Sequence, residues 1–390
     1  MRVLVVNAGS SSVKIRLLDG DTLVDGVDLA ADRGRPDPAE LTAALRRFAP
    51  VDAVGHRVVH GGRIFTAPVP VDDAARRALA ALVPLAPLHQ APALAALDAT
   101  SALLPGVPAV ACFDTAFHAD LPAAASTYAV PARWRDEFGV RRYGFHGLAH
   151  EWAARRAAAL VPSARRVVVA HLGSGASLCA AAVDPADGAA RVRSADTTMG
   201  FTPTAGLVMG TRCGDLDPAV PLWMVEHARL AVADVAHALD HESGLLGLAG
   251  DADMRAVLAA ERAGRSDAAL AVEVWLHRLR AGIAAMAASL GGLDVLVFSA
   301  GIGEHQPELR RRALDGLGFL GLGLDPVADA AVGDDADADV TAGGASARTL
   351  VVHAREDLVI ARAVRAVLGR PAVADGAAAR LPGGSERSRV

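Results

Sequence analysis

Lysine is almost absent from this chain: Lys14 is the only one among 39 basic residues, and arginine supplies the rest. With alanine abundant beside it, that is the mark of biased codon composition, yet it makes the place of Lys14 stand out. A basic excess is missing too. The net charge of −5 argues against a nucleic-acid surface, where a basic stripe would be needed, so no nucleic-acid partner is expected. Cysteine is scarce: Cys112, Cys179 and Cys213 are odd in number and far apart. That fits neither a disulfide framework nor a C-x-x-C metal site and suits a reducing compartment, with the three thiols as small buried hydrophobes. Long apolar runs are lacking as well. The richest window, Ala281 to Gly303, is interrupted by Gly291-Gly292, and Asp294 would cost about 2.5–3.5 kcal/mol at a bilayer centre. A buried helix, a turn and a buried strand are expected there. Met1-Arg2, four apolar residues and then Asn7 make too short a core for a signal peptide, so a cytoplasmic location without a membrane partner is expected.

What is present is apolar material for two cores: 390 residues, 52% of them hydrophobic, predict two domains. The organising stretch is Val3 to Lys14, VLVVNAGSSSVK. Val3 to Val6 form an apolar run too short for a helix, and Ala8, Gly9, Ser10, Ser11 and Ser12 keep bulk away so that backbone N–H groups and hydroxyls can approach an anion. Asn7 and Lys14 frame that turn. The design recurs at Val167 to Leu178, VVVAHLGSGASL, where His171-Leu172-Gly173-Ser174 aligns with Asn7-Ala8-Gly9-Ser10. Two strand-turn-strand units in the two halves predict a duplicated domain with a phosphate held between the copies.

Between and after these units the chain alternates strands and helices. Thr22 to Leu29 continues the first sheet, Pro38 to Phe48 has helical spacing, and Val51 to Val59 delivers GHRVVHGG with Arg57 inside an apolar strand. Helices are expected over Asp72 to Leu82 and Ala91 to Leu103, joined by a proline-rigid connection. Pro108 to Phe113 is a buried strand ending in Asp114, either at the ligand end of an α/β sheet or as a helix N-cap. His146 and His150 lie four apart at the start of a helix and share a face. That spacing can bind zinc, but H-G-L-A-H lacks the glutamate of H-E-x-x-H and no third ligand is evident, leaving phosphoryl contact, with capping or packing as the alternative. Ser194 to Pro218 is a long irregular segment whose apolar content argues for an ordered functional loop, with Arg212 set between glycines. Pro218 to Asp240 and Ala252 to Leu290 are expected as helices, carrying an Asp253-Met254-Arg255 cluster. Asp294 to Ser299 is a buried strand running into Gly301-Ile302-Gly303, which permits a flat ligand to approach. Gly316 to Gly321 matches G-x-G-x-x-G but lacks the strand before and the helix after it. Asp335, Asp337 and Asp339 mimic a calcium loop, yet Val340 and Ser346 stand where glycine and glutamate are needed. Leu350 to His353 is a last strand, Arg355-Glu356-Asp357 opens a helix to about Leu368, and the tail from Pro371 is expected to be disordered.

Taken in order, VNAGSSSVK, GHRVVHGG, PLAPLH, CFDTAFH, RYGFHG, HLGSGAS, MGFTPTAGLVMGTRCGDLDP, SAGIGE and EDLVIAR resemble the acetate kinase family from Val3 to about Leu368. The resemblance implies an α/β fold of the acetate and sugar kinase, Hsp70 and actin superfamily: two duplicated actin-like (ribonuclease H-like) domains with the active site in the cleft between them. Residues 1–115 with 358–370 would form one domain, 116–357 the nucleotide-binding one, and 371–390 the tail. It further implies a homodimer, Mg²⁺ or Mn²⁺, and reversible transfer of the ATP γ-phosphoryl to acetate, giving acetyl phosphate and ADP. A propionate or butyrate kinase, or a non-catalytic nucleotide-binding relative, is the alternative.

Carried over by position, Asn7 and Glu356 would organise the metal, while Lys14, Ser10, Ser12 and the turn His171, Leu172, Gly173, Ser174, Gly175 would meet nucleotide phosphate. Arg57 would bind the carboxylate, Asp114 matches the catalytic aspartate, and His146 and Arg212 match transition-state stabilisers. Asp253, Met254 and Arg255, with Gly301, Ile302, Gly303, Glu304 and His305, match adenosine-binding segments. Val59, Leu88, Phe145 and Pro203 match an apolar pocket for the acyl methyl. The chemistry suits these residue types: acetate is already ionised at neutral pH, so the site must neutralise two anions rather than activate a nucleophile. Three departures bear on nucleotide affinity and donor choice. Ser174 stands where the family usually has asparagine in HLGNG, His305 replaces the asparagine of GIGEN, and Ala354-Arg355-Glu356-Asp357 replaces TNEE.

Overall fold

The structure, a computed structural model, describes residues 1–9, 12–32, 35–185, 190–334 and 336–369. Ser10, Asp335 and the tail 371–390 lie outside the described residues, as does the side chain of Leu88.

Among the described residues there are two sheets. The first takes β1 (Arg2–Ala8), β2 (Ser12–Asp19), β3 (Thr22–Asp32), β4 (Arg35–Pro36), β5 (Ala53–Val58), β6 (Val69–Pro70) and β7 (Ala109–Phe113) in the order β4-β3-β2-β1-β5-β7-β6. The second takes β8 (Arg166–Leu172), β9 (Ala176–Asp184), β10 (Arg191–Thr197), β11 (Val295–Ser299), β12 (Ala338–Asp339) and β13 (Arg348–Val351) in the order β10-β9-β8-β11-β13-β12. In each, an antiparallel hairpin leads into three parallel strands and a short antiparallel edge. Strand for strand, β3-β2-β1-β5-β7-β6 repeats as β10-β9-β8-β11-β13-β12. The apolar runs have their cause in this arrangement: Val3 to Val6 and Val167 to Ala170 are central strands buried on both faces.

The two hairpins are not of equal length. Asn7 pairs with Lys14 and Ala8 with Val13, whereas His171 pairs with Ser177 and Leu172 with Ala176. The second turn is one residue shorter, and its closing bond runs from the Gly173 N–H to the Gly175 carbonyl, against Gly9 to Ser12 in the first. The register of the copies therefore matches up to each turn and slips by one after it.

The Pro38–Phe48 helix starts where expected, with the Asp37 carboxylate accepting from the N–H groups of Ala39 and Glu40. Elsewhere boundaries move. The connection after Leu82 is shorter than its prolines suggested: a helix already begins at Pro87 and runs to Leu103 with Pro92 inside it. Proline is free of cost at the first helical position, and the bond lost at Pro92 is a local one. Ser194 to Thr197 belongs to β10, so the irregular loop starts at Thr198, and Pro218 to Asp240 divides into Ala219–Glu226 and Val232–His241. Ala300–His305 is a short helix rather than a glycine turn.

Two helices join the halves. Glu356–Leu368 buries Leu358, Ile360, Ala361 and Val364 against Val3, Val5 and Val110 of the first sheet, each large side chain contributing about 1.5–3 kcal/mol by burial. Gly147–Leu160 turns Ala153, Ala154, Ala157 and Ala158 to the second sheet and Leu148 to the cluster of the first. None of the described helices is long and apolar enough to cross a membrane.

Candidate active site

Both glycine turns open on one cleft of about 790 Å³, within the range of small-molecule sites. From the first sheet Asn7, Ser12, Lys14, Arg57, Val59 and Asp114 line it. From the second half come Phe145, His146, His171, Gly173, Ser174, Gly175, Pro203, Arg212, Gly301, Glu304 and His305, and Glu356 enters at the start of the last helix.

Arg57 and Asp114 sit at the ends of the parallel neighbours β5 and β7, and their side chains form a forked pair. Nε of Arg57 donates to Oδ1 of Asp114 at 2.9 Å and Nη2 to Oδ2 at 2.5 Å, while Nη1 donates to Oδ1 of Asn7 at 3.0 Å. Asp114 is thus an ion-pair partner, not a helix N-cap. Three of five guanidinium N–H bonds are committed and two remain for an incoming anion. Burial opposes the charge on Arg57, but Asp114 and Glu356 outweigh it and raise the pKa. Burial lifts the Asp114 carboxyl above its ordinary value although Arg57 pulls the other way. Nδ2 of Asn7 donates to Oε2 of Glu356 at 2.7 Å. Burial works against the Glu356 charge, yet Arg57, His171, the Asn7 bond and Lys14 hold its pKa below the usual carboxylate value.

Arg212 has no such partner. Its Nη1 donates to the Pro203 carbonyl at 3.0 Å and touches Sδ of Met209 at 3.6 Å, and no described carboxylate lies within ion-pair distance. Desolvation lowers its pKa although Asp240 pulls the other way, and the guanidinium lines the cleft. His146 caps the Gly147–Leu160 helix at φ 56°, left-handed backbone for a non-glycine residue. The corner is fixed by the bond from the Gly147 N–H to the Asp114 carbonyl, 2.9 Å. A Cβ on Gly147 would stand 2.0 Å from that oxygen, so only glycine fits. Desolvation, His171 and Arg57 hold the His146 pKa well below its ordinary value. A Cβ on Gly175 would stand 3.4 Å from Nε2 of His146 and 3.7 Å from Nη1 of Arg212. The missing side chain is the space those two donors share.

Not every expected residue reaches the cleft. Asp253 and Arg255 pair with each other on the exposed start of a helix and Met254 is spent in the core. Leu172 is buried in its strand, and Ile302 and Gly303 stand behind Gly301. The Glu304 carboxylate is turned inward, accepting from the N–H groups of Ala300 and Ala354 at 2.6 and 3.0 Å and pairing with Nδ1 of His353 at 2.6 Å. Of the departures, Ser174 is exposed in the cleft, the His305 ring lies 3.7 Å from Asp334, and Arg355 is clasped by Asp357 at 2.9 Å. His353, Pro92 and Arg16 line the cleft unforeseen, and no motif in the sequence marked them. The acidic mimic of a calcium loop is used otherwise, Asp337 pairing with Arg156 and Asp339 with Arg348. Among the described residues no group of three or more His, Cys, Asp or Glu could hold a metal ion by itself.

A twice-repeated mixed sheet with glycine turns facing one cationic cleft defines a two-domain α/β phosphotransferase of the actin-like ATPase fold. Comparison with known proteins narrows the class. The profile of the acetokinase family matches residues 39–362, and the chain belongs to that family. Acetate kinase of Deinococcus deserti is 43% identical over 94% of this chain and 98% of its own length, and that of Synechococcus sp. 44% identical over 83% and 78%. Among solved structures, Porphyromonas gingivalis acetate kinase superimposes with a TM-score of 0.82 at 31% identity, covering 94% of this chain and 99% of that one. A propionate kinase from Francisella tularensis superimposes with a TM-score of 0.82 at 30% identity, covering 93% and 98%.

Proposed function

We propose that this chain is an acetate kinase, moving the γ-phosphoryl of ATP to acetate and back. The observation that carries the reading is the division of labour between its two arginines: Arg57, pre-oriented by Asp114 with two N–H bonds to spare, and Arg212, half-buried and with no carboxylate at ion-pair distance among the described residues. The first suits a carboxylate that must be held in one pose, the second a phosphoryl group whose charge spreads as it transfers. An acetate oxygen bonds to the γ-phosphorus as the bond from phosphorus to the ADP oxygen breaks, in line. No proton has to move, because acetate enters ionised and ADP leaves as an anion. Asp114 then orients Arg57 rather than acting as a base. Val59, Phe145 and Pro203 would face the acyl methyl, the turn 173–175 with Lys14 the phosphates, and Gly301 and His305 the nucleoside end of the cleft.

Mg²⁺ suits the donor set, with Mn²⁺ as a substitute: Glu356 is kept ionised, Asn7 fixes its orientation, and a cation that retains waters and binds substrate phosphates needs only one or two protein oxygens. When bound, it would offset charge on the β- and γ-phosphates. Residues 1–115 with the last helix and 116–357 would form the two domains, a division favoured by the packing of that helix on β1, β5 and β7. The exposed apolar face at Leu222 and Trp223 favours a homodimer, and three unbridged cysteines favour the cytoplasm.

The test is to trap acyl phosphate as hydroxamate with Mg-ATP and acetate, for the wild type beside Arg212→Ala. Product from the wild type, cut by on the order of 10³-fold or more in the variant, is expected. A wild type that binds ATP and makes no product would overturn the reading.

A further inference from the structure

Behind His146 lies a polar chain that the reaction as written does not use. Oγ of Ser177 stands 2.9 Å from Nδ1 of His146 and 2.7 Å from Nε2 of His150. Ser177 is fully buried in β9, and these two ring nitrogens are its only side-chain partners among the described residues. A serine hydroxyl carries one proton, so it donates to one ring and accepts from the other.

The free nitrogen of His150 decides which. Its Nδ1 is buried with no partner. Were Ser177 to donate to Nε2 of His150, the proton of that neutral ring would sit on Nδ1, a buried donor with nothing to receive it. A bare lone pair there is better tolerated than an orphaned N–H. His150 therefore carries its proton on Nε2 and donates to Ser177, and Ser177 donates to Nδ1 of His146. That fixes the His146 proton on Nε2, the nitrogen facing the gap beside Gly175 and Arg212.

We propose that Ser177 and His150 are positioning residues that hold His146 in its Nε2–H form, so that the ring shows the transferring phosphoryl group a donor and not a lone pair. The proposal rests on the phosphoryl-transfer reading above. The duplication gives it a second footing: Ser177 pairs with His171 across the second hairpin as Lys14 pairs with Asn7 across the first. Where the first copy presents a cation directly to the cleft, the second acts through an imidazole. Charge alone would not require this chain, but a neutral histidine beside an anion must point its proton the right way.

The experiment is long-range ¹H–¹⁵N correlation on full-length protein labelled with ¹⁵N-histidine at pH 7, the His146 ring assigned by its loss in His146→Gln. A proton on Nε2 and a bare Nδ1 are expected. A proton on Nδ1, or on both nitrogens, overturns the proposal. In parallel, Ser177→Ala should lower kcat by about 10- to 100-fold, up to the lower end of what one oxyanion donor is worth, with KM for acetate little changed. His150→Gln, whose amide can still donate to Ser177, should retain the rate, while His150→Leu falls with Ser177→Ala. Wild-type kcat in Ser177→Ala would overturn the positioning role. A wild type that makes no acyl phosphate would remove the phosphoryl-transfer reading, and the ring spectrum would still settle the direction of the chain.

Discussion

Lys14 and Asn7 are the only lysine and the only asparagine in 390 residues, and they face each other across one hairpin at the mouth of the cleft. Both residue types occur nowhere else in the sequence, and at these two places the common substitutes would change the chemistry. Arg in place of Lys14 would bring a planar fork where a compact point charge is needed. Asp in place of Asn7 would set a second carboxylate against Glu356. Val59 carries a different kind of choice. It is 4% exposed, lies in one cluster with Phe145 and lines the cleft, so truncating it opens room in the cleft wall without touching a charge. Val59→Ala is expected to raise kcat/KM for propionate relative to acetate by roughly 10-fold or more, the worth of a methylene in an apolar pocket. Competition assays with the two acids check it, and an unchanged ratio removes Val59 from the pocket.

At the scale of elements, the strands were legible and the Ala300–His305 helix was not. Val3 to Val6, Val167 to Ala170 and Val295 to Ser299 are apolar runs bounded by turn residues, and a run buried on both faces shows itself in sequence without its partners. A six-residue helix with two glycines has no such signature, because part of what holds it comes from elsewhere. Glu304 folds back onto the Ala300 N–H, and Arg310 from the next helix, Pro307–Leu314, donates Nη1 to the carbonyls of Gly303 and Glu304 at 2.8 and 2.7 Å. Ser177 was hidden for the same reason, since a serine in an apolar strand gains meaning only when a helix begun at Gly147 lays two histidines over it. Arg310 also pairs with Asp329 at 2.6 Å, both being almost fully buried. Arg310→Met should leave Asp329 uncompensated and cost about 3–5 kcal/mol. Because Gly301 belongs to the same short helix, KM for ATP should rise more than KM for acetate. Denaturant titration and steady-state kinetics measure the two effects; a variant as stable as the wild type would mean that the pair is not what supports this wall.

For the whole molecule, the two copies line the cleft with different residues. Had the second hairpin kept the longer turn of the first, Gly175 would not sit between His146 and Arg212. Had it kept a lysine at Ser177, the cation would be buried against two imidazoles. Duplication supplied the frame, and the first copy brings the Arg57–Asp114 fork to the cleft while the second brings His146 and Arg212. The outer surface of the second half carries a further feature, since Leu222, Trp223, Leu230 and Val232 are 61%, 54%, 46% and 70% exposed on two adjoining helices and the link between them. A monomer that shows such a face to water is at risk of association. The reading as a homodimer places that face against its own copy, where large aromatic and aliphatic side chains form the buried centre of an interface. Light scattering at micromolar concentration should then give twice the mass of one chain for the wild type. Leu222→Asp should give a folded monomer, since a charge at the centre of an apolar contact would lose its water without gaining a partner. A wild type that is monomeric throughout would strip the face of this role. A dimer that survives both Leu222→Asp and Trp223→Asp would place the interface on another part of the surface.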